Sequence, residues 1–157
     1  MKTMRRMTAV LFVIVMALSL AACGGAEKTL VLRGDLSDEM GIPTTDTFTL
    51  TAKGDIVQTM KEVFEMDFAG YDDETKDSYI SLFDELILEP ANAINGVDCT
   101  SREQGSTYII ELKIDCTGNA VSEAAEAGIL TVDGDADTIS LKETRSSLES
   151  QGYVVVE

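Results

Sequence analysis

The sequence predicts an α+β domain: a mainly antiparallel sheet built from two hairpins, packed by one long helix and one or two shorter helices. Two observations carry this prediction. Strand patterns come in pairs around glycine turns instead of alternating with helices, and the longest helical pattern separates the two pairs. The chain has 157 residues, which is room for one ordinary domain.

The first hairpin is predicted over residues 45–68, and a short strand precedes it. Residues 29–33 form a short strand, and the glycine- and proline-containing stretch 34–45 is a loop. Residues 45–53 alternate apolar side chains with threonines, as a half-buried strand does. Residues 56–68 fit both a strand and a helical stripe, and we predict a strand because the Lys53-Gly54-Asp55 turn favours a hairpin.

The long helix follows Gly70. Asp72, Asp73 and Glu74 place acceptors and negative charge where a helix begins, and Pro90 is predicted to end the helix. Apolar residues recur at three- and four-residue steps, which indicates core packing rather than a ligand-binding face. These residues are Tyr79, Leu82, Phe83 and Leu86.

The second hairpin is predicted from residues 97–103 and 107–116, joined by Gln104-Gly105-Ser106. A short helix over 119–127 follows. Ser140 and Glu143 match a capping box, which predicts a helix over 141–151. Residues 153–156 form a final strand.

The N-terminus has the order of a bacterial lipoprotein signal. Three basic residues precede an apolar run over 9–18, which is about half the roughly 20 residues that span a bilayer. Leu20-Ala21-Ala22-Cys23 looks like a lipobox, whose cysteine receives a diacylglycerol anchor carrying fatty acids such as palmitate. Cys23 is therefore the predicted lipid-attachment site. The anchor is expected to be durable, because two acyl chains hold a protein stably at a membrane.

The predicted organisation has three parts. Residues 1–22 are the signal peptide, residues 23–28 are the lipidated cysteine and its tether, and residues 29–157 form a single α+β domain. The membrane is therefore the first predicted partner, through the lipid on Cys23. We expect the protein on the extracytoplasmic face of the cell membrane.

Charge and composition exclude several functions. All 28 acidic residues lie at or beyond Glu27, so removing residues 1–22 changes the net charge from −16 to −19. Such an acidic chain is a poor nucleic-acid partner, because that affinity comes mainly from Lys and Arg. Without histidine, the chain cannot by itself build a Ser-His, Cys-His or His-metal site.

The order of these segments resembles the YehR-like family of small bacterial lipoproteins of unknown function. The resemblance spans nearly all of the chain after the signal, and it implies an α+β domain behind a lipobox with no catalytic residues to carry over. Family members are typically Lys-rich, whereas this chain is acidic. The segments that carry the resemblance are Leu20-Ala21-Ala22-Cys23, Lys53-Gly54-Asp55, Gly96-Val97, Ile114-Asp115, Thr138-Ile139-Ser140-Leu141-Lys142, Leu148 and Gln151-Gly152-Tyr153.

Asp133, Asp135 and Asp137 are the candidate metal ligands. Their spacing is that of the start of a calcium loop, but an EF-hand needs Gly at its sixth place and Glu at its twelfth. Those places hold Thr138 and Thr144. We interpret the segment as a solvated acidic turn, with weak calcium binding as the alternative.

Two thiols remain besides Cys23. An extracytoplasmic compartment favours a disulfide between Cys99 and Cys116. The hairpin register opposes it, because Cys99 faces Ile110 or Leu112, more than about 13 Å from Cys116. We expect two buried free thiols.

Adjacent carboxylates such as Asp72-Asp73 and Asp84-Glu85 are interpreted as caps or exposed helix faces, since no nucleophile or metal cluster accompanies them. The sequence thus predicts a non-catalytic module without a cofactor, which binds an envelope protein or a small ligand. A weak cation-binding module and an unrecognised enzyme are the alternatives.

Overall fold

The computed structural model describes residues 25–131 and 138–156. Its core is an antiparallel six-stranded sheet in the order β4-β5-β3-β2-β1-β6. The predicted α+β class is confirmed. The strands are β1 (Glu27–Asp35), β2 (Thr44–Lys53), β3 (Ile56–Asp67), β4 (Val97–Gln104), β5 (Thr107–Asp115) and β6 (Val154–Val155). The α-helices are α1 (Ser37–Met40), α2 (Asp73–Phe83), α3 (Glu89–Asn92), α4 (Ala120–Glu126) and α5 (Leu141–Ser150).

Both predicted hairpins form. β2 pairs with β3 around the turn at Gly54, so the ambiguous stretch 56–68 is a strand. β4 pairs with β5 around Gly105, whose φ of 63° suits a tight turn. Because β3 also pairs with β5, the two hairpins join edge to edge in one sheet.

The helices cover one face of this sheet. Alternate residues of β2 are buried, and they join one core cluster with apolar residues from the helices. The other face carries the half-buried threonines of β2, and among the described buried apolar residues of the strands Ile109 lies on that side, outside the core cluster. The domain is therefore two layers thick, with one open sheet face.

The long helix does not end before Pro90 as predicted. α2 runs into a π-helical stretch, Asp84–Leu88, and then into α3, which contains Pro90 near its start. Proline is tolerated there because its missing N–H falls in the first turn of a new α-helical segment. The π-stretch also shifts the apolar phase: Ile87 is buried, whereas the predicted core residue Leu86 is 43% exposed.

The prediction of a loop over residues 34–45 is wrong, because strand residues occupy both ends of this segment and a short helix lies in its middle. β1 continues to Asp35, α1 forms a single turn, and β2 begins at Thr44. The Asp35 carboxylate accepts hydrogen bonds from the backbone N–H and the hydroxyl of Ser37, which stabilises the start of that turn.

Cys99 and Cys116 are free and buried, as predicted. Cys99 faces Leu112, one of the two predicted partners, while Cys116 lies beyond the end of β5. The Asn92 side chain bonds both the N–H and the C=O of Cys99, at 2.9 and 2.8 Å. Asn92 thereby ties the end of α3 to the edge strand.

Helix α5 begins as the capping motif predicts, with an additional partner. The Ser140 hydroxyl accepts from the N–H of Glu143 at 3.3 Å and donates to Asp55 at 2.8 Å. Asp55 also accepts from the N–H of Lys142. The first hairpin turn thus caps a helix that follows it by more than 80 residues.

None of the described helices is long and apolar enough to cross a membrane.

Candidate functional site

The sheet buries two carboxyl groups in its helix-covered face. Asp46 on β2 and Glu62 on β3 are each 1% exposed. In the β2–β3 register Asp46 faces Phe64 and Phe48 faces Glu62, so the two acids are diagonal neighbours on the same face. We call these two residues the acid pair.

Tyr153 completes this cluster from the C-terminal segment. Its hydroxyl donates to Asp46 Oδ2 at 2.5 Å, and its ring meets the ring of Phe48 edge-on at 5.5 Å. Gly34 on β1 provides the room, because a Cβ at that position would lie 2.7 Å from the tyrosine ring. β1, β2, β3 and the segment before β6 thus each contribute to the cluster.

Burial decides the protonation of the acid pair. Desolvation raises the pKa of Asp46 to about 7, despite the hydrogen bonds from Tyr153 and Glu62 that favour its ionised form. Desolvation, followed by the negative charge of Asp46, raises the pKa of Glu62 well above its usual range. Glu62 is therefore shifted toward its protonated form, in which it can donate to Asp46.

A shared proton also accounts for two otherwise orphaned atoms. Asp46 Oδ1 and Glu62 Oε2 are buried, and no donor reaches them while both groups are ionised. Two carboxylates accept but cannot donate, so a proton between the groups supplies the missing donor. The pair can store a proton inside the fold, and its burial keeps it from a bulk substrate.

Strand parity in the sequence indicates this cluster, although no motif does. Asp46 has the same strand parity as Phe48 and Leu50, and Glu62 has the parity of Met60. A charged residue in the apolar phase of a strand is expected to be buried and partnered. The Tyr153 contact and the need for Gly34 depend on long-range packing, so only the structure reveals them.

The predicted site residues have different outcomes. Cys23 and the three aspartates Asp133, Asp135 and Asp137 lie outside the described residues, and their roles stay predictions. Among the described residues, no group of three or more carboxylates or thiols is arranged to hold a metal ion.

The carboxylate neighbours on the long helix are structural. Asp72 caps α2 by accepting from the N–H of Thr75 at 2.7 Å, as predicted. Asp84 is half-buried and accepts from the hydroxyl of Tyr108 at 2.9 Å, which corrects the exposed position predicted for it. Tyr108 reaches it from β5, so this contact holds the π-helical stretch against the sheet.

Two surface grooves differ in charge. One, of about 710 Å³, runs along α2 between Glu74, Asp77 and Glu85. The other, of about 440 Å³, lies between the start of β1 and α5. Its lining includes Lys28, Thr29, Leu30, Gly54, Asp55, Leu141, Lys142 and Arg145, and we call it the basic groove.

The open sheet face offers a third surface. Thr45, Thr47, Thr49 and Thr51 occupy alternate, half-buried positions of β2. Val31 pairs with Thr49 from β1, and Val63 pairs with Thr47 from β3. These six residues form the threonine face. Two basic and two acidic residues pair with its threonines on the same side of the sheet, namely Arg33, Lys61, Asp35 and Glu65.

Comparison with known proteins gives relatives over the full length of the chain. The uncharacterized lipoprotein Lmo0207 of Listeria monocytogenes is 27% identical over 157 residues, covering 98% of this chain and 97% of the relative. The uncharacterized lipoprotein Lin0239 of Listeria innocua is 29% identical over 160 residues, covering 100% and 99%. No family model matches the chain.

Among solved structures, the NMR structure of the Escherichia coli YehR protein superposes with a TM-score of 0.66 at 17% identity, covering 85% of this chain and 94% of YehR. The predicted YehR-like resemblance is confirmed. A protein from Streptococcus pneumoniae TIGR4 superposes with a TM-score of 0.50 at 14% identity, covering 89% of this chain and 91% of that one. At these identities, the structural likeness shows the fold alone.

The YehR-like fold and the lipoprotein relatives agree on the coarse description. The chain fits a family of membrane-anchored lipoproteins of unknown molecular role. The matches to the Listeria relatives cover 98% and 100% of this chain, so they include most or all of residues 1–22, the predicted signal.

Proposed function

We propose that this YehR-like lipoprotein is a non-catalytic binding module, held by a lipid on Cys23 at the extracytoplasmic face of the membrane. It binds another component of the cell envelope through the threonine face. The single observation that carries the binding role is this sheet surface, which the described helices leave open and which has threonine and valine at its centre.

The chemistry of the threonine face suits a partner surface. Each threonine offers a hydroxyl that donates and accepts, together with a methyl group for apolar contact. Val31 and Val63 widen the apolar part of the surface. The domain as a whole carries −19 after residues 1–22 are removed, whereas the residues that pair directly with the threonines of this face include two basic and two acidic ones, whose charges balance.

The non-catalytic part of the proposal rests on the position of the acid pair. Asp46 and Glu62, both with raised pKa values, are the groups that general acid–base catalysis would use. Each is 1% exposed and sits under the helices, so a substrate would have to open the core to reach either one. Their raised pKa values are thus better explained by burial for packing than by tuning for a reaction.

Site-specific photo-crosslinking in intact cells tests the binding surface. A photoreactive amino acid replaces Thr47 or Thr49, and as a matched control it replaces Ser122, which is exposed on α4 on the helix-covered side. We expect one defined crosslinked product from positions 47 and 49 and none from position 122. Products at 122 alone, equal labelling at all three positions, or no product at 47 and 49 would each contradict binding through the threonine face.

A further inference from the structure

We infer that the basic groove is a docking site for the anionic phosphate headgroups of the membrane that holds the protein, so that the domain is oriented on its anchor as well as tethered by it. The inference rests on the proposed lipid anchor at Cys23. The residues that support the inference are Lys28, Lys142 and Arg145, which line this groove.

Charge makes this groove distinctive. After residues 1–22 are removed, the chain keeps nine basic residues against 28 acidic ones, yet three of the nine line one groove of about 440 Å³. The basic groove is therefore a positively charged region on a negatively charged domain. An anion is the class of ligand that such a region attracts.

The carboxylates near the groove do not outweigh its basic residues. Asp55 lines the groove and keeps its negative charge while its two oxygens accept from the Ser140 hydroxyl at 2.8 Å and from the N–H of Lys142 at 2.9 Å, so the lining has three basic groups against one carboxylate. Glu149 pairs with Arg145 at 2.9 Å, with both side chains about half exposed. Such an exposed pair holds its partner weakly, so Arg145 remains available to a phosphate.

The position of the groove on the chain selects the membrane as the source of the anion. Lys28 lies five residues after Cys23, a distance of at most about 18 Å even with the tether fully extended. Anionic headgroups attract juxtamembrane Lys and Arg within about a Debye length of the surface. An acidic domain on so short a tether is repelled unless its basic side faces the lipid.

Lysine-reactivity footprinting tests the orientation. The full protein is purified from membranes, the lipid on Cys23 is verified by mass spectrometry, and the protein is reconstituted into vesicles. The vesicles contain phosphatidylcholine alone or phosphatidylcholine with phosphatidylglycerol. Acylation rates are compared at Lys28 and Lys142, with the exposed Lys113 of β5 as the internal control.

We expect acylation of Lys28 and Lys142 to slow by about threefold or more in the anionic vesicles at low salt, to recover at high salt, and to remain unchanged at Lys113. The Arg145→Gln variant should lose much of this protection, while Arg102→Gln, which removes an exposed charge from β4, should keep it. Equal rates in the two vesicle types would overturn the inference, as would equal protection of Lys113.

Inorganic phosphate added to the neutral vesicles separates the two sources of the anion. We expect little protection from it. Protection as strong as that in anionic vesicles would make the groove a free-phosphate site and overturn the headgroup assignment. Because the lipid on Cys23 is verified first, a failure here leaves the proposed anchor and the threonine face standing.

Discussion

The Tyr153 hydroxyl donates to Asp46 Oδ2 at 2.5 Å, across 107 positions of the chain. This bond ties the C-terminal segment to the middle of the first hairpin, with Glu62 as the diagonal neighbour of Asp46 on β3. The contact has consequences for the stability of the fold and for its dependence on pH.

We expect stability to fall as the pH rises from about 5 to about 8. The pKa of Asp46 is raised from 3.8 to about 7 by burial, and that of Glu62 is raised in the same direction. A group whose pKa is higher in the folded state stabilises the fold fully below its unfolded pKa and loses that contribution as the pH passes through the folded value. We expect a melting temperature at least about 5 °C higher at pH 5 than at pH 8.

The Asp46→Asn variant should weaken this dependence, because the amide at position 46 does not titrate and only Glu62 of the pair still does. Asp98→Asn, which changes an exposed aspartate on β4, serves as the control and should keep the wild-type profile. A wild-type melting temperature that is flat or rises between pH 5 and pH 8 would refute the proton-sharing interpretation of the acid pair.

We expect that any side chain at position 34 destabilises the fold, because the Tyr153 ring packs directly against Gly34. In Gly34→Ala the new Cβ would lie 2.7 Å from the ring, and the crowding should cost about 1–3 kcal/mol of unfolding free energy. Gly118→Ala is the matched control, because a Cβ there meets no atom within 4 Å. Denaturant titration measures both variants, and equal midpoints for the two would mean that Tyr153 can move aside without cost.

The charge of −19 predicts that salt stabilises the domain. The screening length falls from about 30 Å at 0.01 M to about 10 Å at 0.1 M, so the melting temperature should rise over that interval in sodium chloride. Calcium at matched ionic strength should add little if Asp133, Asp135 and Asp137 form a solvated turn. A saturable, stoichiometric stabilisation by calcium that Asp135→Ala removes would establish a metal site instead.

The two buried thiols should be slow to react in the folded protein. Desolvation raises the pKa of Cys99 to about 11 and that of Cys116 to about 12, which leaves little thiolate at neutral pH. We expect iodoacetamide to modify both cysteines only after unfolding, without any reductant. A peptide map with a quantitative crosslink between positions 99 and 116 would show that the β4–β5 register is not the native one.

Much of the fold follows from short-range patterns. The alternation in residues 45–53 and the glycine turns at Gly54 and Gly105 predict the hairpins and their register, because strand parity and tight-turn geometry are local properties. The short helix α1 is held by the Ser37–Asp35 contacts, which no periodicity announces. The π-helical stretch likewise became visible only in three dimensions, where Tyr108 meets Asp84.

Among the candidate sites too, some follow from local sequence patterns and others only from the three-dimensional structure. Asp46 and Glu62 could have been found from strand parity alone. The basic groove could not, because Lys28 and Lys142 are more than a hundred residues apart and meet only when α5 packs beside β1. The threonine face could not be identified from the sequence either, because its exposure depends on the described helices all covering the opposite side of the sheet.

The central claim is that this domain is held to a membrane by a lipid on Cys23. Mass spectrometry of the N-terminal peptide from protein extracted from native membranes tests it most directly. We expect a peptide that begins at Cys23 and carries a diacylglyceryl group, and we expect Cys23→Ala to accumulate as unprocessed precursor. A wild-type protein with a free Cys23 thiol and a retained Met1 would contradict the lipid anchor.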